Sequence, residues 1–226
     1  KKVETSKGLL TLHFVDKKKL LVEFPVSLMG REFLLGSKVV ETSDMGNGPA
    51  GTMSYTPRHI KFAVVDSTLY MKEVSRTGQN MIFSSSANQN MQEGLKKNSL
   101  STIVDAFTIA AFNKDSSAVV VDMTSYFVSH TENMNPFSSG KRTMEYGSGR
   151  QAVKFKDDLS YLMGVKAFED NVSIISKLTY LMNLSVGGQL VSVDEPVSIT
   201  VNRTLLLLPE KPQMRPRLAD PRIGIG

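Results

Sequence analysis

The sequence predicts a mainly β domain: antiparallel hairpins in a sandwich or partly open barrel, with one or two short helices and long loops. Three observations carry this. The apolar runs are short, rich in Val, Ile and Leu, and several alternate with period two. Clusters of Asp, Asn, Ser and Lys separate them at hairpin spacing. Helical periodicity extends over about two turns at most, which argues against a doubly wound parallel sheet with its long crossover helices.

The elements run in order along the chain. Gly8–Val15 and Leu20–Phe24 flank Asp16-Lys17-Lys18-Lys19 and form a first hairpin. In Pro25–Gly30, proline fixes φ and glycine can end a single helical turn. Glu32–Glu41 is a third strand. His59–Val65 alternates at Ile60, Phe62 and Val64, then turns through Asp66-Ser67 into Thr68–Val74. Phe107–Phe112 and Ala118–Met123 pair across Asn113–Ser117. Val172, Ile174, Leu178 and Tyr180 share one face of a strand, and Val197, Ile199 and Val201 share another. The adjoining run Leu205–Leu208 predicts a strand end buried on both faces. Ser86–Lys97 and Thr124–His130 are the two short helical segments, the second capped by Asp122 or Thr124. Polar loops are expected over Ser43–Arg58, Ser75–Asn90, Thr131–Asp158 and Asn183–Pro196.

Composition excludes several functions. The 226 residues contain no Cys, which removes disulfides, thiolate zinc sites, iron–sulfur clusters and cysteine nucleophiles. With three His, a His-rich metal site is hard to assemble. No apolar run approaches the ~20 residues of a membrane-spanning helix. A net charge of +5 invites a nucleic-acid reading, but Lys211, Arg215, Arg217 and Arg222 against Glu210 and Asp220 place a good part of the excess in the tail. No zinc-finger spacing, basic helix or stacking aromatic pattern accompanies it, so nucleic acid is not an expected partner.

The chemical motifs are weak. Gly46-Asn47-Gly48-Pro49-Ala50-Gly51 spells GxGxxG, but Pro49, Tyr55 and Pro57 oppose the helix that must open there to face a pyrophosphate. His13, His59 and His130 lie far apart and none belongs to HExxH. No GxSxG elbow marks a serine nucleophile. Asp157-Asp158 reads as a solvated pair in a loop. The twelve Met read as packing residues.

The tail differs. Four of nine prolines come after Leu208, so this stretch is neither helix nor interior strand and reads as an extended arm. Its Arg215, Arg217, Asp220 and Arg222 suit docking to a neighbouring surface through paired carboxylates and guanidinium groups.

Leu205–Arg222 (LLLLPEKPQMRPRLADPR) resembles the junction between the N-terminal region and the catalytic domain in a family of bacterial, metzincin-type zinc-dependent metalloproteases. Lys7–Leu35, with Pro25–Glu32 after a hairpin, and Ala111–Phe127 are similar to the same non-catalytic region, and Leu159–Phe168 adds a weaker fourth stretch. The catalytic HExxHxxGxxH of such proteins lies downstream of the junction and is not found in residues 1–226. The resemblance therefore implies no zinc ligand, catalytic residue or cofactor here, and places zinc in the downstream catalytic domain.

These readings combine into one expectation. Residues 1–42 form an N-terminal strand subdomain, separate from the main core or part of it; 43–208 form the main β-rich domain; 209–226 form a proline-rich arm. The resemblance implies a non-enzymatic accessory module, prodomain-like or shaping the substrate cleft, that docks to the catalytic domain of the same polypeptide. It also implies a periplasmic, envelope or secreted setting. The alternative is a stand-alone β-rich binding module using loops 43–58 and 131–158 for a ligand or protein. A third reading, an independent hydrolase, requires a His–Ser or His–carboxylate pair within hydrogen-bond reach.

Overall fold

A computed structural model describes residues 2–44, 49–53, 56–74, 94, 97, 100–130, 136 and 149–210. Among these, eleven strands form one antiparallel sheet, and helix is minimal. The strands are β1 (Val3–Lys7), β2 (Thr11–Val15), β3 (Lys19–Pro25), β4 (Glu32–Thr42), β5 (Arg58–Val65), β6 (Thr68–Glu73), β7 (Thr102–Phe112), β8 (Ala118–Asp122), β9 (Gly149–Ala167), β10 (Asn171–Val186) and β11 (Gln189–Leu207). Their spatial order is β1-β2-β3-β8-β7-β6-β5-β4-β11-β10-β9. The helical pieces are a 3₁₀ turn at Val26–Leu28 and α1 (Thr124–Phe127).

The sheet curls so that its two edge strands approach each other without pairing. The Leu9 N–H donates to the Phe168 carbonyl at 2.6 Å, and the Ala167 N–H to Ser6 Oγ at 2.9 Å. These bonds tie one end of the curl while β1 and β9 remain unpaired, so the sheet is open, as the partly open barrel or sandwich anticipated. Gly8 sits at the tie. A Cβ there would lie 2.3 Å from the Phe168 carbonyl oxygen, so only glycine fits.

Alternation sets the core. Leu12 and Phe14 of β2, Leu20, Val22 and Phe24 of β3, Phe33 and Leu35 of β4, and Ile60 and Phe62 of β5 point inward at every second residue and are buried. Phe24, Phe33 and Phe62 meet in a trio with centroids 4.6–5.9 Å apart, within the favourable range for aromatic pairs. A second cluster of Val39, Leu178, Tyr180, Met182, Val197, Ile199 and Val201 lines the distal halves of β10 and β11. Strands β1–β3 join the sheet through β8, and β2 and β3 contribute to the same first core as β4, β5 and β6.

Three expectations need correction. Asn183–Pro196 is no loop: β10 and β11 continue to a two-residue turn at Gly187-Gly188, whose φ values of 60° and 82° suit a primed hairpin turn. The segment reads polar because its tip projects into solvent on both faces. Residues 149–158 of the expected loop 131–158 likewise belong to β9, and the rest of that loop, apart from Pro136, lies outside the described residues. Leu205–Leu208 is not buried throughout. Leu205 is buried, but Leu206 is 37% exposed, so β11 keeps one wet face to its end. Ser75–Asn90 lies outside the described residues, as does most of Ser86–Lys97.

Candidate functional site

Arg215, Arg217, Asp220 and Arg222 lie outside the described residues. The departure of the chain toward them is described. The Arg31 guanidinium donates Nη2–H to the Leu208 carbonyl at 3.3 Å and pairs through Nη1 with Glu210 at 3.2 Å. The Leu208 N–H donates to the Glu32 carbonyl at 2.9 Å. The exit is thus pinned to the start of β4.

The three histidines lie on separate elements. His13 of β2 places Nδ1 3.0 Å from Thr5 Oγ1 and Nε2 2.9 Å from Glu23. His59 of β5 contacts Glu32 at 2.8 Å. His130 comes after α1, with Nδ1 3.5 Å from the Tyr180 hydroxyl and its ring stacked on Phe155. Desolvation lowers the His130 pKa. Two histidines therefore have a carboxylate within reach, so the pairing a hydrolase requires is present. The Thr5–His13–Glu23 row, however, runs across strands as cross-strand pairs do. The ladder engages the backbone donors of β2 on both sides, so they do not converge on the Thr5 hydroxyl as an oxyanion site needs. Among the described residues no three His, Asp or Glu gather to hold a metal ion. A resident zinc would have at most a pair of ligands in either His–Glu contact, so no step through zinc is derived for this chain.

A concavity opens where β8 leaves the sheet. Val119–Val121 pair with Ile109–Phe112 of β7, but beyond Asp122 the chain turns into α1. Met123 precedes the first helical residue, and the Asp122 carboxylate accepts the N–H and the hydroxyl of Thr124 at 3.0 and 2.6 Å. The Thr124 hydroxyl also accepts the Leu20 N–H at 2.8 Å, and Lys19 Nζ lies 3.0 Å from Asp122. Burial works to raise the Asp122 pKa, but Thr124 and the Lys19 ammonium outweigh it and hold the carboxyl below its usual range. The turn is thereby locked to β3.

The divergence leaves a groove of about 500 Å³ lined by Asp105, Ala106, Phe107 and Thr108 of β7 and by Asp122, Ser125, Tyr126 and Ser129. Its floor is rigid. Tyr126 packs edge-on against Phe107 at 5.4 Å, and its hydroxyl donates to Met71 Sδ at 3.5 Å. Burial raises the Tyr126 phenol to about 12. Behind it Arg203, fully buried, donates from Nη1 to the Phe127 carbonyl at 2.5 Å, and the Ser176 hydroxyl donates to the same oxygen at 2.7 Å. Burial lowers the Arg203 pKa to about 10, so the guanidinium stays charged at neutral pH. Asp122 and the short helix are legible in part in the sequence. The groove is not, because the departure of the chain from the sheet after Asp122 is a tertiary event.

Fold and site together define an open antiparallel β module with a groove of mixed polar and apolar lining over a sealed core. Residues 51–226 match the family described as a domain of unknown function, DUF5117, and the chain belongs to that family. Residues 1–42 match a second domain of unknown function, DUF5118. No curated protein and no solved structure matches the chain.

Proposed function

We propose that this chain is a non-catalytic accessory module of a zinc-dependent metalloprotease, docked to a catalytic domain located downstream in the same polypeptide. The observation that carries the reading is the pinned exit. Arg31, itself partly buried, holds both the Leu208 carbonyl and the Glu210 carboxylate, so the chain is anchored at the point where the proline-rich sequence begins. A stiff segment launched from a fixed point holds the next domain at a defined distance. The resemblance of Leu205–Arg222 to a protease junction names that domain, and Arg215, Arg217, Asp220 and Arg222 are its docking residues.

The test is to read and express the whole open reading frame containing this chain. The expected product carries HExxHxxGxxH downstream, hydrolyses peptides with zinc, and retains residues 1–208 bound to the catalytic part after cleavage within 209–226. A frame without that motif, or a module that separates at micromolar concentration with activity unchanged, overturns the reading. Asp220→Ala separates two versions: faster hydrolysis indicates a latency contact to zinc, and unchanged hydrolysis leaves docking alone.

A further inference from the structure

We infer, independently of the protease reading, that residues 1–42 and 51–226 are one folding unit, although two separate families match them. Residues 1–42 are an obligate strand donor, and residues 51–226 carry the interaction surface that receives them. The order of strands in the sheet and the origin of the core side chains carry this.

The N-terminal part cannot close a sheet of its own. β1, β2 and β3 pair with one another, but β4 pairs with none of them. Only residues 26–31 separate β3 from β4 along the chain, yet β8, β7, β6 and β5 stand between them in the sheet. Residues 1–42 alone are a three-stranded meander joined to a lone strand, whose backbone groups have no ladder to enter.

The C-terminal part has the complementary defect. Among the described residues it supplies two blocks, β8-β7-β6-β5 and β11-β10-β9, and β4 is the strand that joins them. β4 meets β11 over nine residue pairs, from Phe33↔Leu207 to Thr42↔Ile199. It meets β5 over four, from Glu32↔Lys61 to Leu35↔Arg58. Without β4, the facing edges of β5 and β11 are both bare. β3 covers a third edge, that of β8, from Leu21↔Asp122 to Pro25↔Ala118.

The side chains interlock in the same way. Nine of the buried apolar residues in the first cluster come from residues 1–42 and fourteen from 51–226, so neither part has a complete core. The trio of Phe24, Phe33 and Phe62 takes two rings from one part and the third from the other. The crossover from β3 to β4 is itself bonded across the divide. The Val26 N–H donates to the Ser117 carbonyl at 2.8 Å, and the Gly30 N–H to the Phe62 carbonyl at 2.9 Å. The surface therefore fits a partner of one kind: two apolar-faced strands on a short crossover that reach opposite sides of a four-strand block.

The test uses the full chain with the recognition sequence of a site-specific protease inserted between Asn47 and Gly48. After cleavage under native conditions, both fragments are expected to elute together in size-exclusion chromatography. Urea unfolding should stay a single transition, with a midpoint that falls on tenfold dilution of the cleaved protein but not of the uncut one. Native-state hydrogen exchange on the uncut chain supplies a second reading. The slowest amides of β2, β3, β4, β10 and β11 should share one opening free energy. Phe24→Leu should speed their exchange by one common factor, in β10 and β11 as much as in β3. A C-terminal fragment that stays folded after losing its partner, a midpoint of the cleaved protein indifferent to dilution, or an exchange response confined to β1–β4 each overturns the inference.

Discussion

Arg203 reaches through the interior from β11 to the last residue of α1, its Nη1 2.5 Å from the Phe127 carbonyl oxygen. The contact sits where the two apolar clusters meet, beside the buried Tyr126 and Tyr180. A cation buried in this way is costly, and it is retained because it fills a large volume and satisfies a carbonyl that the helix cannot. Arg203→Ala is expected to lower unfolding free energy by about 3–5 kcal/mol through cavity formation. Arg203→Met keeps the volume, removes the charge and leaves Ser176 on the carbonyl, and should cost less than about 1.5 kcal/mol. Urea titrations of both variants decide it, and equal losses would show that charge rather than volume governs the position.

Ser176 shares the same acceptor. Its hydroxyl is fully buried and donates to the Phe127 carbonyl at 2.7 Å. Ser176→Ala should cost about 1 kcal/mol, and combined with Arg203→Met it should cost more than the two losses added, because the carbonyl is then orphaned. A double-mutant cycle measures the excess.

The tie between the sheet edges makes a sharp steric prediction. Gly8→Ala drives a Cβ into the Phe168 backbone and should destabilise by about 1–3 kcal/mol, with faster hydrogen exchange at the Leu9 amide, which bonds to Phe168. Gly36→Ala in β4 meets nothing within 4 Å and should stay within about 0.5 kcal/mol of the parent. Exchange at Leu9 that ignores the Gly8 substitution would remove the tie from the account.

His130 gives the fold an acid-side dependence. Desolvation holds its pKa below the usual value in the folded state, so the unfolded chain binds more protons as pH falls. This contribution is whole above the ordinary histidine range and is lost as pH drops through it toward the folded value. His130→Phe, which keeps a ring against Phe155 and Tyr180, should flatten the stability profile across the ordinary histidine range and just below it. Parallel profiles for parent and variant would assign the slope elsewhere.

The edge strand β9 carries Leu159, Tyr161 and Met163, each about half exposed, on one face. A bulge interrupts its pairing with β10 between Lys156 and Tyr161, held by Ser160, whose hydroxyl accepts the Thr179 N–H at 3.0 Å and donates to the Lys156 carbonyl at 2.6 Å. Asp157 and Asp158 stand in that bulge, a device that keeps edges from pairing with other chains. Replacing both by Thr should raise self-association at submillimolar concentration without lowering thermal stability. Analytical ultracentrifugation reads the outcome, and a variant as monodisperse as its parent would mean that the bulge alone guards the edge.

The sequence was most legible where local rules and burial agree. Asp16-Lys17 and Asp66 adopt left-handed φ near 50° in short turns, and the flanking strands alternate as expected because one face of each is buried. Strands β1 and β9 were missed. β1 is almost wholly exposed, and β9 is an edge strand interrupted by a bulge, so neither shows clean alternation. The four leucines misled for the opposite reason: hydrophobicity at Leu206 does not report burial, since apolar side chains also stand on the wet face.

For the candidate site the division is similar. The helix after Asp122 was readable only in part: the Asp122 carboxylate accepts the Thr124 N–H, but the capping position falls to Met123, whose side chain makes no cap bond, and the helix ends at Phe127 instead of running to His130. Arg203 gave no sign, standing among alternating residues as any surface cation would. The sequence by itself determined the antiparallel hairpins, their inward faces and the lack of a cysteine-based site, all of which depend on composition or on neighbours along the chain. Only the tertiary structure decided that the chain leaves the sheet after Asp122 and that an arginine is sealed behind the groove this opens. Those features depend on how distant strands curl around a shared core, and no local spacing records that curvature.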